Sequence, residues 1–377
     1  MRNFRDTHLI NILETFDTSK LPLDVFLNKY FRLHKALGSK DRAYICEYLY
    51  LLIRWKDLID ACYQTTHQWD ERLAILKKYP ISDLQNSSFL SHHQKVSFPK
   101  PFFDILQNSL GLEKAYEFCL NSNQAAPLTV RVNTSKCSRD HLFDLWRESY
   151  LVEKCEVSKN GICFKKRINF FELKEFKEGL FEVQDEGSQI VAAHLQAKPG
   201  DHVLDYCAGS GGKTLALAPL LEGKGQIYLF DIRPHALNEA KKRLKRAGIQ
   251  NAQLLDPIKL KKKGLLKRMD WILLDVPCSG SGTLRRNPDM KWRFTPEMVE
   301  RVIAEQKIIF EKAIKYLADD GKIVYATCSV LPQENIDQVN YFMEKYQLEL
   351  VGVPFQSYPQ PDKMDGFFAA VLKRKEI

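Results

Sequence analysis

Two cysteines stand out by the company they keep. The segment LLDVPCSGSGTLRRNPDMKW (273–292) puts Asp275 and Cys278 at the end of an apolar run, before a Gly/Ser-rich turn and a basic stretch ending in Trp292. A second thiol, Cys328, follows another apolar run in VYATCSVLPQEN. A buried structural cysteine is inert, whereas a reactive thiolate is favoured by partial exposure and positive surroundings. Two thiols and an acid at strand ends fit covalent catalysis on a carbon too weak to act unaided. A thiolate that adds to carbon 6 of a pyrimidine makes an enamine, whose carbon 5 can attack an electrophilic methyl group. A carboxylic acid at the N3 edge would stabilise the adduct, and Asp275 is placed for that work. A base must then remove the carbon 5 proton. These residues alone leave open which thiol attacks, and either position also suits a small core residue.

The chemistry needs a methyl donor, and LDYCAGSGGKT (204–214) offers a cradle for one. Gly209, Gly211 and Gly212 precede a helix, where glycines allow a tight turn and a close approach to a ligand, and where unpaired N–H groups point outward. The spacing to Lys213-Thr214 lacks the leading glycine of a Walker A loop, and a strict GxGxxG is absent too. Asp231 ends the next strand about twenty residues on, where a carboxylate can accept hydrogen bonds from ribose hydroxyls. Asp256 and Asp275 end the following two strands. A rim of carboxylates suits a sulfonium and an amino group better than a pyrophosphate, so S-adenosylmethionine is the expected cofactor. Each Asp taken singly also fits a turn or helix cap.

Elements of a recognisable kind must position these groups. From Gly187 onward strands and helices alternate: HVLDYCAG, GQIYLFDI, AQLLD, DWILLDV and GKIVYATC are separated by helical patterns, and FFAAVLK closes the series. Such alternation predicts a doubly wound, mostly parallel sheet with ligands at the carboxyl ends of its strands. Residues 183–377 are therefore read as an α/β, Rossmann-like catalytic domain. Residues 123–182 mix short strands with a helix, SRDHLFDLWRES, and form a small α+β module suited to contacting RNA. Residues 1–122 are helical throughout; in LGSKDRAYICEYLYLLIRW, Ser39 can cap a helix and Ile45, Leu49 and Leu52 recur on one face.

Length and composition suit a folded chain of two or three domains: 377 residues, 45% hydrophobic and 27% charged. The formal charge of +9 bunches at 241–246, 259–264 and 284–293. Clustered basic residues point to a polyanion, although a solvated helix face reads the same way. Arg285, Arg286 and Lys291 are expected to hold phosphates or a flipped nucleotide, with Trp292 as a stacking surface or as packing beneath the loop. The nine cysteines show neither CxxC pairs nor metal-ligand spacing. No metal is expected, and a reduced, cytoplasmic setting is. The first residues lack a signal-peptide core and no apolar stretch has membrane-spanning length. Nothing calls for an obligate dimer, so a monomer is expected.

VQDEGSQIVA (183–192), LDYCAGSGGKT, LDVPCSGSGTLRRNPDMKW (274–292), YATCSVLPQEN (325–335) and DGFFAAVLK (365–373) occur in this order. As a set they resemble the RNA 5-methylcytosine methyltransferases of the RsmB/Sun/Nop type. RVNT (131–134) is similar to that family's small preceding domain, and LGSKDRAYICEYLYLLIRW to the NusB-like helical domain of its bacterial ribosomal RNA members. The resemblance implies a class I S-adenosylmethionine methyltransferase domain. It implies that Cys207, Ala208, Gly209, Ser210, Gly211, Gly212 and Lys213 wrap the cofactor. Asp231 would bind the ribose, Asp256 would lie by the adenine, and Asp275 would sit beside both cofactor and target base. It also implies that Cys328, of the TCS motif, is the nucleophile, while Cys278, of the PCS motif, assists breakdown of the adduct. One departure is visible: Gly209-Ser210 stands where the family usually has Ala-Pro, which leaves a more flexible loop. The expected substrate is ribosomal RNA of the 16S type, with transfer RNA as the alternative within the same chemistry. A non-catalytic RNA-binding assembly factor on the same fold has no use for two thiols around one pocket. A DNA cytosine methyltransferase lacks a partner thiol like Cys328.

Overall fold

The computed structural model describes residues 3–19, 21–63, 68–262 and 264–375; the side chains of Lys259, Lys261 and Lys262 also fall outside what is described, so the basic cluster 259–264 is largely untouched by it. The chain divides into two compact units. One comprises Met1–Ala125 together with Thr283–Pro296, and the other comprises Ala126–Gly282 with Glu297–Ile377.

The first unit is helical. Helices Phe4–Asp17, Ser39–Tyr63 and Trp69–Lys78 pack their apolar faces into one core that includes Leu9, Ile12, Leu13, Ile45, Leu49 and Leu52. The spacing of Ile45, Leu49 and Leu52 puts them on one stripe of the long helix, and all three are buried. Ser39 is the first helical residue rather than the cap. The reach back is made by Asp41, whose carboxylate accepts from the Gly38 N–H at 3.1 Å. Among the described residues no helix is long and apolar enough to cross a membrane.

The second unit holds two sheets. Strands β1 (Leu128–Val132), β2 (Val152–Lys154), β3 (Gly161–Phe164) and β4 (Phe181–Val183) form an antiparallel sheet in the order β2-β3-β1-β4. Helix Arg139–Trp146, capped by the Ser138 hydroxyl, buries Leu142 and Trp146 in the core of this four-stranded module.

The larger sheet is built from β5 (His202–Asp205), β6 (Gln226–Phe230), β7 (Ala252–Leu255), β8 (Met269–Asp275), β9 (Leu317–Thr327), β10 (Leu348–Leu350), β11 (Phe355–Gln356) and β12 (Phe368–Arg374). Its order is β10-β12-β9-β8-β5-β6-β7, with β11 paired to β12. The strands from β5 to β9 pair in parallel, and β12 runs antiparallel to β9. Successive residues of β8 face opposite cores: Ile272 and Leu274 join one, Trp271 and Leu273 the other. A parallel strand covered on both faces has no polar side, which is why DWILLDV reads as an unbroken apolar run. The helix after β5 is only Thr214–Leu217 followed by a 3-10 turn, because Pro219 can neither donate the next helical bond nor fit inside the helix. The chain order reverses between β5 and β8, so the carboxyl ends of those strands open a crevice.

Candidate functional site

At that crevice lies a cavity of about 730 Å³, walled by residues from the carboxyl ends of β5, β6 and β8 and by one face of helix Pro296–Ala313. Cys207, Ala208, Gly209, Ser210, Gly212, Lys213, Asp231 and Asp275 all line it. Gly211 does not. Its backbone is left-handed, with φ of +77°, and a β-carbon there would meet the Ala240 β-carbon at 3.2 Å, so its smallness serves loop-to-helix packing. Asp256 also stands outside the cavity wall; its Oδ1 accepts from the Ile258 N–H at 3.0 Å, a turn bond at the head of helix Pro257–Lys262.

The cavity is rich in charge. Lys213 Nζ donates to Asp275 Oδ2 at 2.6 Å. Burial works against the ammonium, yet Asp275, aided by Cys328, raises the Lys213 pKa. Asp231 is saturated: it accepts from the Gly209 and Arg233 backbone N–H groups at 2.8 and 2.9 Å, and from Arg233 Nε and Nη2 at 2.9 Å each. Burial opposes ionisation of Asp231, but the Arg233 and backbone hydrogen bonds outweigh it and lower its pKa. The Arg233 side chain is otherwise exposed. Cys207 is raised well above the usual thiol range by burial and by the surrounding acids.

Asp205, the acid that ends β5, was passed over in the sequence although it occupies the same position as the other strand-end acids. It is 1% exposed and lines the cavity. Thr214 Oγ1 donates to its Oδ2 at 2.6 Å, while Oδ1 is buried without a hydrogen-bond partner. Burial pushes its pKa up to about 7, opposed by the Thr214 bond and assisted by Asp275. The folded value lies above the unfolded value of about 3.9. Between those limits the native state holds the extra proton, so this group's contribution to stability declines as pH rises from about 4 to about 7. Asp205→Asn imitates the protonated form. Its urea midpoint relative to wild type is therefore expected to improve between pH 5 and pH 8, by an amount on the order of a few kcal/mol; a constant difference across that range would refute the assignment.

The two thiols are brought together just past the cavity wall. Pro277 lines the cavity and Cys278 follows it, while Cys328 follows β9, whose Ala326 is in register with Asp275 of β8. The Sγ atoms are 3.3 Å apart. The Cys278 thiol is raised well above its usual range, first by its hydrogen bond with Cys328, then by burial, by charge on Cys328 and by Glu334. Beneath both turns, Glu334 receives the Ser279 N–H and the Ser329 hydroxyl at 2.8 and 2.6 Å. The sequence shows Glu334 only as one polar residue of LPQEN, so nothing marked it.

The basic loop requires a correction. Arg285 and Lys291 are each 1% exposed within the helical unit. Lys291 Nζ donates to Arg54 O at 2.7 Å and to Asn123 Oδ1 at 2.8 Å, and Arg54 donates to Arg285 O at 2.8 Å. Trp292 Nε1 donates to Ile53 O at 2.7 Å, with Lys56 and Lys291 lying over its ring. Arg285 and Lys291 thus hold the helical unit together, and a phosphate reaches them only if those bonds break; Trp292, packed beneath the loop, is half-buried. Arg286 is half-buried. Lys291→Ala leaves buried acceptors unpaired and is expected to cost about 2 kcal/mol, seen as a lower thermal midpoint. An unchanged midpoint with weakened RNA binding would restore the phosphate role. Among the described residues no cluster of three or more His, Cys, Asp or Glu can hold a metal ion.

Comparison with known proteins places this architecture. The family model described as 16S rRNA methyltransferase RsmB/F matches residues 192–373, and that for an RsmF/B-like ferredoxin-like domain matches residues 98–170. Ribosomal RNA small subunit methyltransferase B of Escherichia coli is 31% identical over 324 residues, covering 83% of this chain and 71% of that protein. The probable ribosomal RNA small subunit methyltransferase B of Synechocystis is 28% identical over 80% of this chain and 73% of its own. The crystal structure of a methyltransferase homologue from Pyrococcus horikoshii superposes with a TM-score of 0.68 at 27% identity, over 77% of this chain and 100% of that one.

Proposed function

This chain belongs to the RsmB/F family of ribosomal RNA methyltransferases, and on that premise we propose that it transfers a methyl group from S-adenosylmethionine to carbon 5 of a cytosine in ribosomal RNA of the small subunit. The observation that carries the reading is the pair of thiols 3.3 Å apart beside a cavity that contains Asp205, Asp231, Asp275 and Lys213.

The donor set fits the cofactor. The strand-end carboxylates of Asp205, Asp231 and Asp275, the first with an unpartnered buried oxygen, offer hydrogen-bond acceptors to a ligand that brings amino and hydroxyl hydrogens. Asp231 would take the ribose hydroxyls in place of the Arg233 fork, and the residues of 207–213 that line the cavity, all but Gly211, would hold the methionine end. The cofactor supplies an electrophilic methyl group on a cationic sulfur.

The chain's own residues do the rest. Cys328, having lost its proton, bonds to carbon 6 of a cytosine that has left its stack. The Lys213–Asp275 pair faces the N3 and amino edge, where the ammonium offsets negative charge that grows as carbon 6 is attacked. Carbon 5 of the adduct would then take the methyl group that a donor held by Asp231 and the loop would supply. Loss of the carbon 5 proton to a base then expels the Cys328 thiolate, with Cys278 assisting at this second step.

The test supplies methyl-labelled S-adenosylmethionine to the full chain with total RNA that lacks the modification, both naked and in ribosomal particles. Label in 5-methylcytosine of small-subunit RNA is the expected result. Label in RNA of transfer-RNA size would redirect the substrate, and RNA binding without any transfer would favour a scaffold.

A further inference from the structure

The four-stranded module sends buried charge into the cofactor loop. Arg131 of β1, 4% exposed, stands in register with Glu182 of β4. Its Nη1 donates to Gly212 O at 3.0 Å and to Gln184 Oε1. From helix Pro234–Ala247, Arg243 Nη1 donates to Ser210 O at 3.0 Å and to Ser210 Oγ at 2.7 Å. Glu182 aims the second arginine: Arg243 Nε and Nη2 reach its Oε2 at 3.2 and 3.0 Å, and Arg246 Nη2 reaches its Oε1 at 2.5 Å.

A packing role alone would leave these arginines paired with the carboxylate. Instead each turns one nitrogen onto a carbonyl of the loop, on either side of Gly211. That loop is otherwise soft, with Gly209 and Gly211 at φ of +53° and +77°, Gly212 beside them and no proline. Ordering such a segment when a ligand arrives costs conformational entropy, and contacts that order it beforehand recover affinity. Arg243 and Gln184 also line the cavity.

We propose that Arg131 and Arg243, the latter oriented by Glu182, are positioning residues that hold the 209–212 loop in its cofactor-binding form, so that the four-stranded module contributes to cofactor affinity. The inference rests on the reading that this loop binds S-adenosylmethionine.

The experiment is calorimetric titration of the full chain with S-adenosylhomocysteine, beside steady-state methyl transfer. Arg243→Ala is expected to weaken binding about tenfold and to raise KM for S-adenosylmethionine equally, while kcat at saturating cofactor stays within about twofold. Ser210→Ala, which keeps the carbonyl contact, should lose less. In the Arg243→Ala background it should lose nothing more, because the hydroxyl then has no guanidinium to meet. Hydrogen exchange should rise at 207–213 in Arg243→Ala and elsewhere stay as in wild type. Arg131→Lys, which keeps the buried charge but replaces the planar guanidinium that carries Nη1 to the Gly212 carbonyl, is expected to weaken binding without changing the fold. Wild-type affinity in Arg243→Ala, or a loss explained by a general fall in stability with kcat and KM moving together, would overturn the proposal. A wild-type chain that binds no S-adenosylhomocysteine would instead remove the cofactor reading on which it stands.

Discussion

Cys328→Ala is expected to abolish methyl transfer, by roughly 10⁴-fold or more, the scale on which losing a covalent nucleophile acts. Cys278→Ala is expected to do something different: attack and methylation proceed, release fails, and a protein–RNA adduct survives a denaturing gel. The geometry makes the pair of variants informative. With Sγ atoms 3.3 Å apart, either thiol reaches nearly the same point in space, so placement alone does not separate attacker from helper. Their surroundings do differ. Cys278 carries the upward shift imposed by Cys328, burial and Glu334, and a thiol held neutral is a poor nucleophile but a usable proton donor. Cys328 lies within electrostatic reach of Lys213. A stable adduct with Cys328→Ala and none with Cys278→Ala would reverse the two roles. No adduct with either variant, together with residual transfer in both, would end the covalent mechanism.

What could be read from the sequence was what repeats with the βα unit. The acids that end successive strands, Asp231, Asp256 and Asp275, and the thiols after β8 and β9 are each announced by the apolar run before them. Parallel strands bring such ends to one edge of the sheet. What an end residue then touches is set by the local turn, and this separates Asp256, bonded to its own helix, from Asp231 and Asp275 in the cavity wall. Asp205 has the same announcement, but its consequence depends on burial and an unpartnered oxygen, which no spacing reveals. The basic loop misled for a related reason. Arg, Lys and Trp serve phosphates and bases when exposed, and backbone carbonyls when tucked inside, with the same composition in both cases. Only the hydrogen bonds of Lys291 and Trp292 to the long helix and its neighbours decide between the two.

Glu334→Ala is the substitution expected to damage both the fold and the chemistry. Glu334 is fully buried, and its Oε2 accepts from the Ser279 N–H at 2.8 Å and Gln306 Nε2 at 3.2 Å. Its Oε1 accepts from Ser329 Oγ at 2.6 Å, and that hydroxyl meets Ser281 Oγ at 2.9 Å. Ser279 and Ser329 directly follow Cys278 and Cys328, so one carboxylate fixes the turns that carry both thiols. Alanine leaves those donors buried and unpaired and opens a cavity, at a cost of about 3 kcal/mol, with methyl transfer lost along with the alignment of the sulfurs. Glu334→Gln separates geometry from charge. The amide oxygen can still take the Ser279 N–H, and the Ser329 hydroxyl can rotate to accept the amide, so stability should change little. The charge beside Cys278 is gone, however, and with it one of the causes that raise this thiol after its bond to Cys328 and its burial. The groups acting on Cys278 are then Cys328 and the Gly280 backbone. If Cys278 must ionise for adduct release, the rising limb of the release rate should move to lower pH in Glu334→Gln; if it must donate a proton, the falling limb should move the same way. Single-turnover release followed into the alkaline range, where a thiol raised above its ordinary value titrates, therefore reads the protonation state that Cys278 uses, and a profile unchanged by the substitution would mean that Glu334 acts through position alone.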